Sequence, residues 1–318
     1  MNLDPSAGTP DPHYLRRPLY ESCEADAHAP PRYPFTRAAI EPPSVQATQG
    51  YLQPTTERPY NYAFEPPEGM PWENYTRDER AVRIVDGRRT SAPGSVHREG
   101  FELWNAPSGL RDFTDPDAIV RHYYPEVAEL ACAATGAACA YVFDHLVRRR
   151  EADRRPLGFG RSGKGAPAAA NGVVHNDYTE DSGRRRLALV LGDEAARRGG
   201  GVGRYSIVNV WRSIKGPVLD TPLAVCDARS VDVADLVVAD VRYPRRTGEI
   251  YLVMHAPRHR WSYFSAMDRH EALVFKQYDS QASGVARFTP HAAFDHPDAP
   301  ADAPLRESIE ARCLVVYE

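Results

Sequence analysis

GVVHNDYTEDSG, residues 172 to 183, places a histidine and an aspartate two positions apart at the end of a short apolar run. Side chains alternate along a strand, so residues i and i+2 share a face. If this run is the end of a strand, His175 and Asp177 point the same way, and Asn176 points to the opposite face as a spectator. One neutral imidazole and one carboxylate on a common face supply two of the three donors that hold Fe(II) while leaving positions open. The same pair suits an exposed polar turn, so the stretch needs a third donor elsewhere.

The best third donor is His291, in ARFTPHAAFD, which follows the probable strand and turn ALVFKQYDSQASGVARFTP. Beyond it, Arg306 and Ser308 stand at the head of the last strand and share a face by the same alternation. A guanidinium is a rigid donor fork that matches a carboxylate bidentately, and a neighbouring hydroxyl adds a further hydrogen bond. That chemistry suits the distal carboxylate of 2-oxoglutarate. A surface pairing of Arg306 with Asp302 or Glu310 is the plainer alternative.

The bulk numbers are those of an ordinary globular protein. Of 318 residues, 42% are apolar and 26% charged, enough to bury a sizeable core. A net charge of -4 gives no bulk attraction to nucleic acid or to an anionic membrane, so neither is expected as a partner. No apolar run reaches the length of a membrane span, and the N-terminus lacks a signal-peptide core, so a cytoplasmic location is expected. Five scattered cysteines without CxxC spacing predict neither disulfides nor a zinc site. The oligomeric state is not legible.

Residues 1 to 75 hold a large share of the 28 prolines and show no periodicity. They are expected to form a Pro-rich extended arm packed on a single domain over 76 to 318, because interleaved Tyr and Phe would be wasted in a disordered tail. Helical spacing appears from Asp115 to about Ala138, interrupted at Pro125, and again over 181 to 200. AYVFDHLV (140 to 147), YSIVNVW (205 to 211), LAVCDA (223 to 228), EIYLVMHA (249 to 256), ALVFKQYD (272 to 279) and IEARCLVVY (309 to 317) read as strands. Short strands in the C-terminal half with helices mostly N-terminal predict a mainly β fold with flanking helices, a barrel or sandwich.

Other motifs carry less. Gly158, Gly160 and Gly163 fit GxGxxG, but no strand precedes them and Pro167 follows, so a loop over a pocket is expected in place of a nucleotide site. His255 and His259 have the spacing of a helical zinc pair, yet Pro257 lies between them and they are discounted as ligands. The arginine runs at 148 to 150 and 184 to 186 are offset by acidic neighbours and read as a solvated face.

Taken together, the HxD at 175 to 177, the distant His291 and the RxS at 306 to 308 resemble the Fe(II)/2-oxoglutarate-dependent oxygenases. The sequence is more narrowly similar to the gibberellin desaturase / cephamycin hydroxylase component (CmcJ-like) family, through FDHLVRR (143 to 149), VHNDYT (174 to 179), IVNVWRSIKGPVLDTPLAVCDARSV (207 to 231), HRWSYFSAMDRHEALVFKQYDS (259 to 280) and RESIEARCLVVYE at the C-terminus. The resemblance covers roughly residues 95 to 318, with NVWRS here in place of the group's NVWRP. It implies a double-stranded β-helix (jelly-roll, cupin-like) core. It also implies iron at positions matching His175, Asp177 and His291, and a co-substrate anchored by Arg306 with Ser308.

Arg212 is ambiguous, fit for co-substrate, for a substrate carboxylate, or for packing beneath Trp211. Tyr178, Tyr205, Lys276 and Tyr278 flank the proposed ligands on predicted strands and are candidates for the substrate pocket. The implied activity is hydroxylation or desaturation of a small-molecule secondary metabolite, with O2 consumed and 2-oxoglutarate converted to succinate and CO2. Two alternatives stay open: an iron oxidase that performs oxidative cyclisation without 2-oxoglutarate, and a non-catalytic partner of another biosynthetic enzyme.

Overall fold

The computed structural model describes residues 20–22, 43–90, 92–161, 168–197 and 202–317. Two sheets face each other. Numbered in chain order, the first runs β1 (Tyr20–Ser22), β6 (Cys139–Arg149), β16 (Glu307–Tyr317), β9 (Arg204–Ser213), β14 (Glu271–Asp279) and β5 (Phe101–Asn105), with β7 (Ala168–Ala169) beside β6. The second runs β2 (Ser44–Leu52), β4 (Arg77–Asp86), β13 (Trp261–Tyr263), β10 (Leu223–Cys226), β15 (His291–Ala293), β8 (His175–Asn176), β12 (Arg246–Val253), β11 (Leu236–Tyr243) and β3 (Tyr60–Tyr62). The strands expected from sequence are all present. β2 and β3 fall within the stretch read as an extended arm and are hydrogen-bonded into the second sheet.

The first sheet is apolar on both faces. Val208, Val210, Val274, Ile309 and Ala311 pack outward under the helical layer, whereas Trp211, Leu273 and Phe275 pack inward against Leu223 and Val225 of the second sheet. The helical layer is α1 (Tyr124–Thr135), entered through a turn at Pro116–Ala118 that Asp115 caps by accepting from the Asp117 N–H. Between them, Ile119–Tyr123 forms a π turn. Pro125 cannot donate to the preceding turn, and the wider turn absorbs that defect where a break was expected. A second helix, α2 (Glu180–Arg197), follows Asp177 and is kinked at Gly192.

Two irregularities aim side chains. In β14 the register against β9 slips between Lys276 and Tyr278, a bulge at Gln277, so Lys276 opposes Val208 and Tyr278 opposes Ile207. In β16 a slip after Arg312 sets Arg312 opposite Asp144. Cys132, Cys139, Cys226 and Cys313 are buried free thiols, while Cys23 lies outside the described residues. No helix among the described residues is long and apolar enough to cross a membrane.

Gly100 (φ 93°) fixes the approach to the metal-ligand candidates, because a Cβ there would stand 2.2 Å from Thr289 Oγ1, two residues before His291. Gly136 (φ 68°), which ends α1, has open space around it. Gly100→Ala is therefore expected to cost about 3 kcal/mol, strain plus overpacking, against about 1 kcal/mol for Gly136→Ala. Urea unfolding of the two variants checks this, and equal costs would remove the steric argument.

Candidate metal centre

β8 pairs with β15 so that His175 and His291 are direct cross-strand partners, with ring centroids 4.3 Å apart. Asp177 follows at once, its Oδ1 3.4 Å from His175 Nε2. One donor atom from each of the three lies within 4.8 Å of the others, and no other such cluster occurs among the described residues. His255 and His259 are not part of one: His259 contacts Asp235 at 3.1 Å and the Tyr51 hydroxyl at 3.2 Å.

The surrounding hydrogen bonds decide which atoms are free. His175 Nδ1 lies 2.8 Å from the Val173 carbonyl and His291 Nδ1 3.3 Å from the Thr289 carbonyl. A carbonyl only accepts, so both Nδ1 atoms carry the proton and both Nε2 lone pairs face the centre, that of His175 with the Asn171 amide nitrogen 3.4 Å away. Asp177 Oδ2 accepts from Arg312 Nε at 3.0 Å and Asn209 Nδ2 at 2.8 Å, which leaves Oδ1 to the centre. Burial opposes the Asp177 charge, but the Arg312 guanidinium outweighs it and holds its pKa well below the carboxylate range. Burial, reinforced by His175, pushes His291 down to about 3 and keeps the ring neutral. Two imidazoles and one carboxylate fit Fe(II).

Arg312 holds more than Asp177. It donates to Asp144 at 3.2 Å and Glu310 at 2.8 Å, and these carboxylates raise its pKa against the opposing effect of burial. The alternation that groups Arg306 with Ser308 also puts Glu310 and Arg312 on the inward face, so this residue was within reach of the sequence. Gln277 and Asn176 were not. The bulged Gln277 accepts the Asp177 N–H at 2.7 Å through Oε1 and donates to the Thr289 carbonyl at 3.0 Å. Asn176, expected to be a spectator, is a fully buried clamp that donates to the carbonyls of Tyr178 (2.7 Å) and Gln277 (2.9 Å) and accepts from the Thr289 N–H (3.0 Å).

Arg306 is 3% exposed, which excludes the surface pairing. Its Nη1 donates to the Thr221 carbonyl at 3.0 Å, the guanidinium lies 5.7 Å from the Trp211 ring centroid, and Nε is buried with no partner. Burial first, then Arg148, lowers its pKa to about 10. An orphaned donor on a buried guanidinium is where a carboxylate of 2-oxoglutarate fits. Ser308, also buried, sits opposite Ser213 and Arg148 in the register.

The remaining candidates divide. Tyr178, Tyr205 and Tyr278 join one buried aromatic cluster beside Asp177, with the Tyr278 hydroxyl donating to Glu180 at 3.2 Å. Lys276 and Arg212 do not join them. Lys276 shares the outward face of Val208 and is spent on Asp279, 2.6 Å away, so it is no pocket residue. Arg212 opposes Ile309 on that same outward face, which removes it from the co-substrate position. Gly160 is held by close backbone packing, since a Cβ there would meet the Ala169 carbonyl at 2.3 Å; Gly163 and Pro167 lie outside the described residues. Phe159, between those glycines, brings its ring to 6.3 Å from His175, so the loop does cover the centre.

Facing sheets with two imidazoles and one carboxylate converging between them define the class: a jelly-roll oxidoreductase with the donor set of a non-haem iron enzyme. Comparison with known proteins gives the family. The family described as an oxidoreductase/YMDC permease-like domain matches residues 50–316. The chain is 31% identical to the hydroxylase/desaturase efuI of Hormonema carpetanum, over 88% of this chain and 98% of that protein. It is 30% identical to the Fe(II)/2-oxoglutarate-dependent dioxygenase nvfI of Aspergillus novofumigatus, over 83% and 94%. The solved structure of the iron and alpha-ketoglutarate-dependent endoperoxidase NvfI superposes with a TM-score of 0.70 at 27% identity, over 86% of this chain and 98% of that one. The chain belongs to this oxidoreductase family and is an Fe(II)/2-oxoglutarate-dependent dioxygenase with a jelly-roll core.

Asn176→Ala would strand two carbonyls and one N–H in the core. A loss of about 3 kcal/mol in urea unfolding is expected; a loss under about 1 kcal/mol would mean the clamp is replaceable.

Proposed function

We propose that His175, Asp177 and His291 hold the Fe(II) and that Arg306, with Ser308 beside it, binds the distal carboxylate of 2-oxoglutarate. The observation that carries this is the pairing of three converging donor atoms with an inward-facing, buried guanidinium whose Nε has no partner. When bound, iron and 2-oxoglutarate supply the oxidising power. The chain's own part is positional. Arg312 and Asn209 hold the Asp177 carboxylate so that one oxygen faces the metal; the Val173 and Thr289 carbonyls fix the two rings; Trp211, Phe275 and Phe159 keep water from the centre.

The substrate is read as a small secondary metabolite, in keeping with the hydroxylase, desaturase and endoperoxidase names of the relatives, and the CmcJ-like group is the narrower assignment. A cavity of about 590 Å³ runs along residues 282 to 288, immediately ahead of His291, and includes Val231, Leu236, Ala286 and Phe288. Phe288 separates it from Tyr278, ring centroids 6.2 Å apart, and Arg287 ties its wall to Glu180, just beyond Asp177. We read it as the substrate's approach, with the tyrosine cluster behind it. The oxygenase domain is read as starting no later than Ser44, since β2 is a strand of the second sheet.

Arg306→Ala is expected to weaken 2-oxoglutarate binding to the anaerobic iron-loaded protein by about 10- to 100-fold, with Arg306→Lys in between. Calorimetric titration reads this. Unchanged affinity in Arg306→Ala would move the anchor to another residue.

A further inference from the structure

Arg212 leaves β9 on the face opposite Trp211 and is 3% exposed. It gives Nε to the Tyr123 hydroxyl at 3.2 Å and Nη1 to the Arg269 carbonyl at 2.8 Å, and lies over the Tyr123 ring, 5.4 Å from its centroid. These partners are neutral. Among the described residues no carboxylate forms an ion pair with Arg212. Arg212 shares this lack of a counter-ion with Arg306, whereas Arg150 is neutralised by Asp295, and the partly buried Arg88 and Arg312 by Glu271 and by three carboxylates. Removing a guanidinium from water without a counter-ion carries a penalty that neutral partners only partly offset.

Arg212 borders a cavity of about 260 Å³, walled also by Ser108, Arg111, Phe113, Arg269 and His270. No aspartate or glutamate lines it, and neither Arg111 nor Arg269 has a carboxylate partner among the described residues. Glu126, behind the Ser108 wall, is taken up by the Ser108 hydroxyl at 2.5 Å and the Gly109 N–H at 2.8 Å. Three unneutralised guanidiniums and an imidazole around one small cavity are the chemistry of oxyanion recognition. We infer that this cavity is a second anion site, on the helical side of the first sheet and separate from the iron cluster, which takes a small oxyanion, a carboxylate or a phosphate.

The test uses the full chain, metal-free, in an Arg306→Ala background so that the co-substrate position does not contribute. Inorganic phosphate and succinate are titrated separately, with chloride at matched ionic strength, and thermal unfolding and calorimetry are read. A saturable rise in Tm with at least one of the two is expected, and the responding ion names the ligand class. Added Arg212→Gln, Arg269→Ala or Arg111→Ala is expected to weaken that ion by about tenfold. If Arg212→Gln does not fold, the two variants at the cavity's more exposed side decide. No saturable response beyond chloride, or the same affinity in those variants, would overturn the inference.

Discussion

One largely buried guanidinium joins the two sheets at the candidate metal centre. Arg312 rises from the inward face of β16 and bonds Glu310 on its own strand, Asp144 on β6, and Asp177 just past β8 of the second sheet. Buried charges are costly unless their geometry is satisfied, and breaking such a group strands a charge in the core. Here the arrangement also has a directional result: with one Asp177 oxygen committed to Arg312 and Asn209, only the other can face His175 and His291. The candidate metal centre is thus oriented by a network anchored in the opposite sheet, while the cross-strand pairing of β8 with β15 brings its two imidazoles together.

Much of this was legible in the sequence, and the exceptions share a cause. Period-two alternation is enough to group His175 with Asp177 and Arg306 with Ser308, because those pairs sit on short segments with one polar face. It fails for Arg212 and Lys276. β9 and β14 are buried on both faces, so their apolar runs do not reveal which side looks inward. In β14 the bulge at Gln277 also shifts the parity, so that Lys276 and Tyr278, two apart, end on opposite sides. Asn176 was expected to be a spectator because it points away from the metal candidates, yet that face is where β8, the Gln277 bulge and the segment before His291 are fastened together.

β9 consequently serves two surfaces. Its inward side chains, Asn209 and Trp211, meet Asp177 and Arg306, while Arg212 reaches the helical layer and a basic cavity there. Three residues of one strand therefore border the candidate metal centre, the guanidinium proposed for the co-substrate and the inferred second anion site. The relatives oxidise substrates by hydroxylation, desaturation or endoperoxide formation, as their names state. That range fits a fixed donor set with a variable wall, since outcome depends on substrate placement to about an ångström.

The most direct test is anaerobic addition of Fe(II) and 2-oxoglutarate to the full chain, followed by visible absorption. The account predicts a weak charge-transfer band that saturates at one iron per chain and is absent in His175→Ala and Asp177→Ala. No band in the intact protein, or one that survives in both variants, would contradict it.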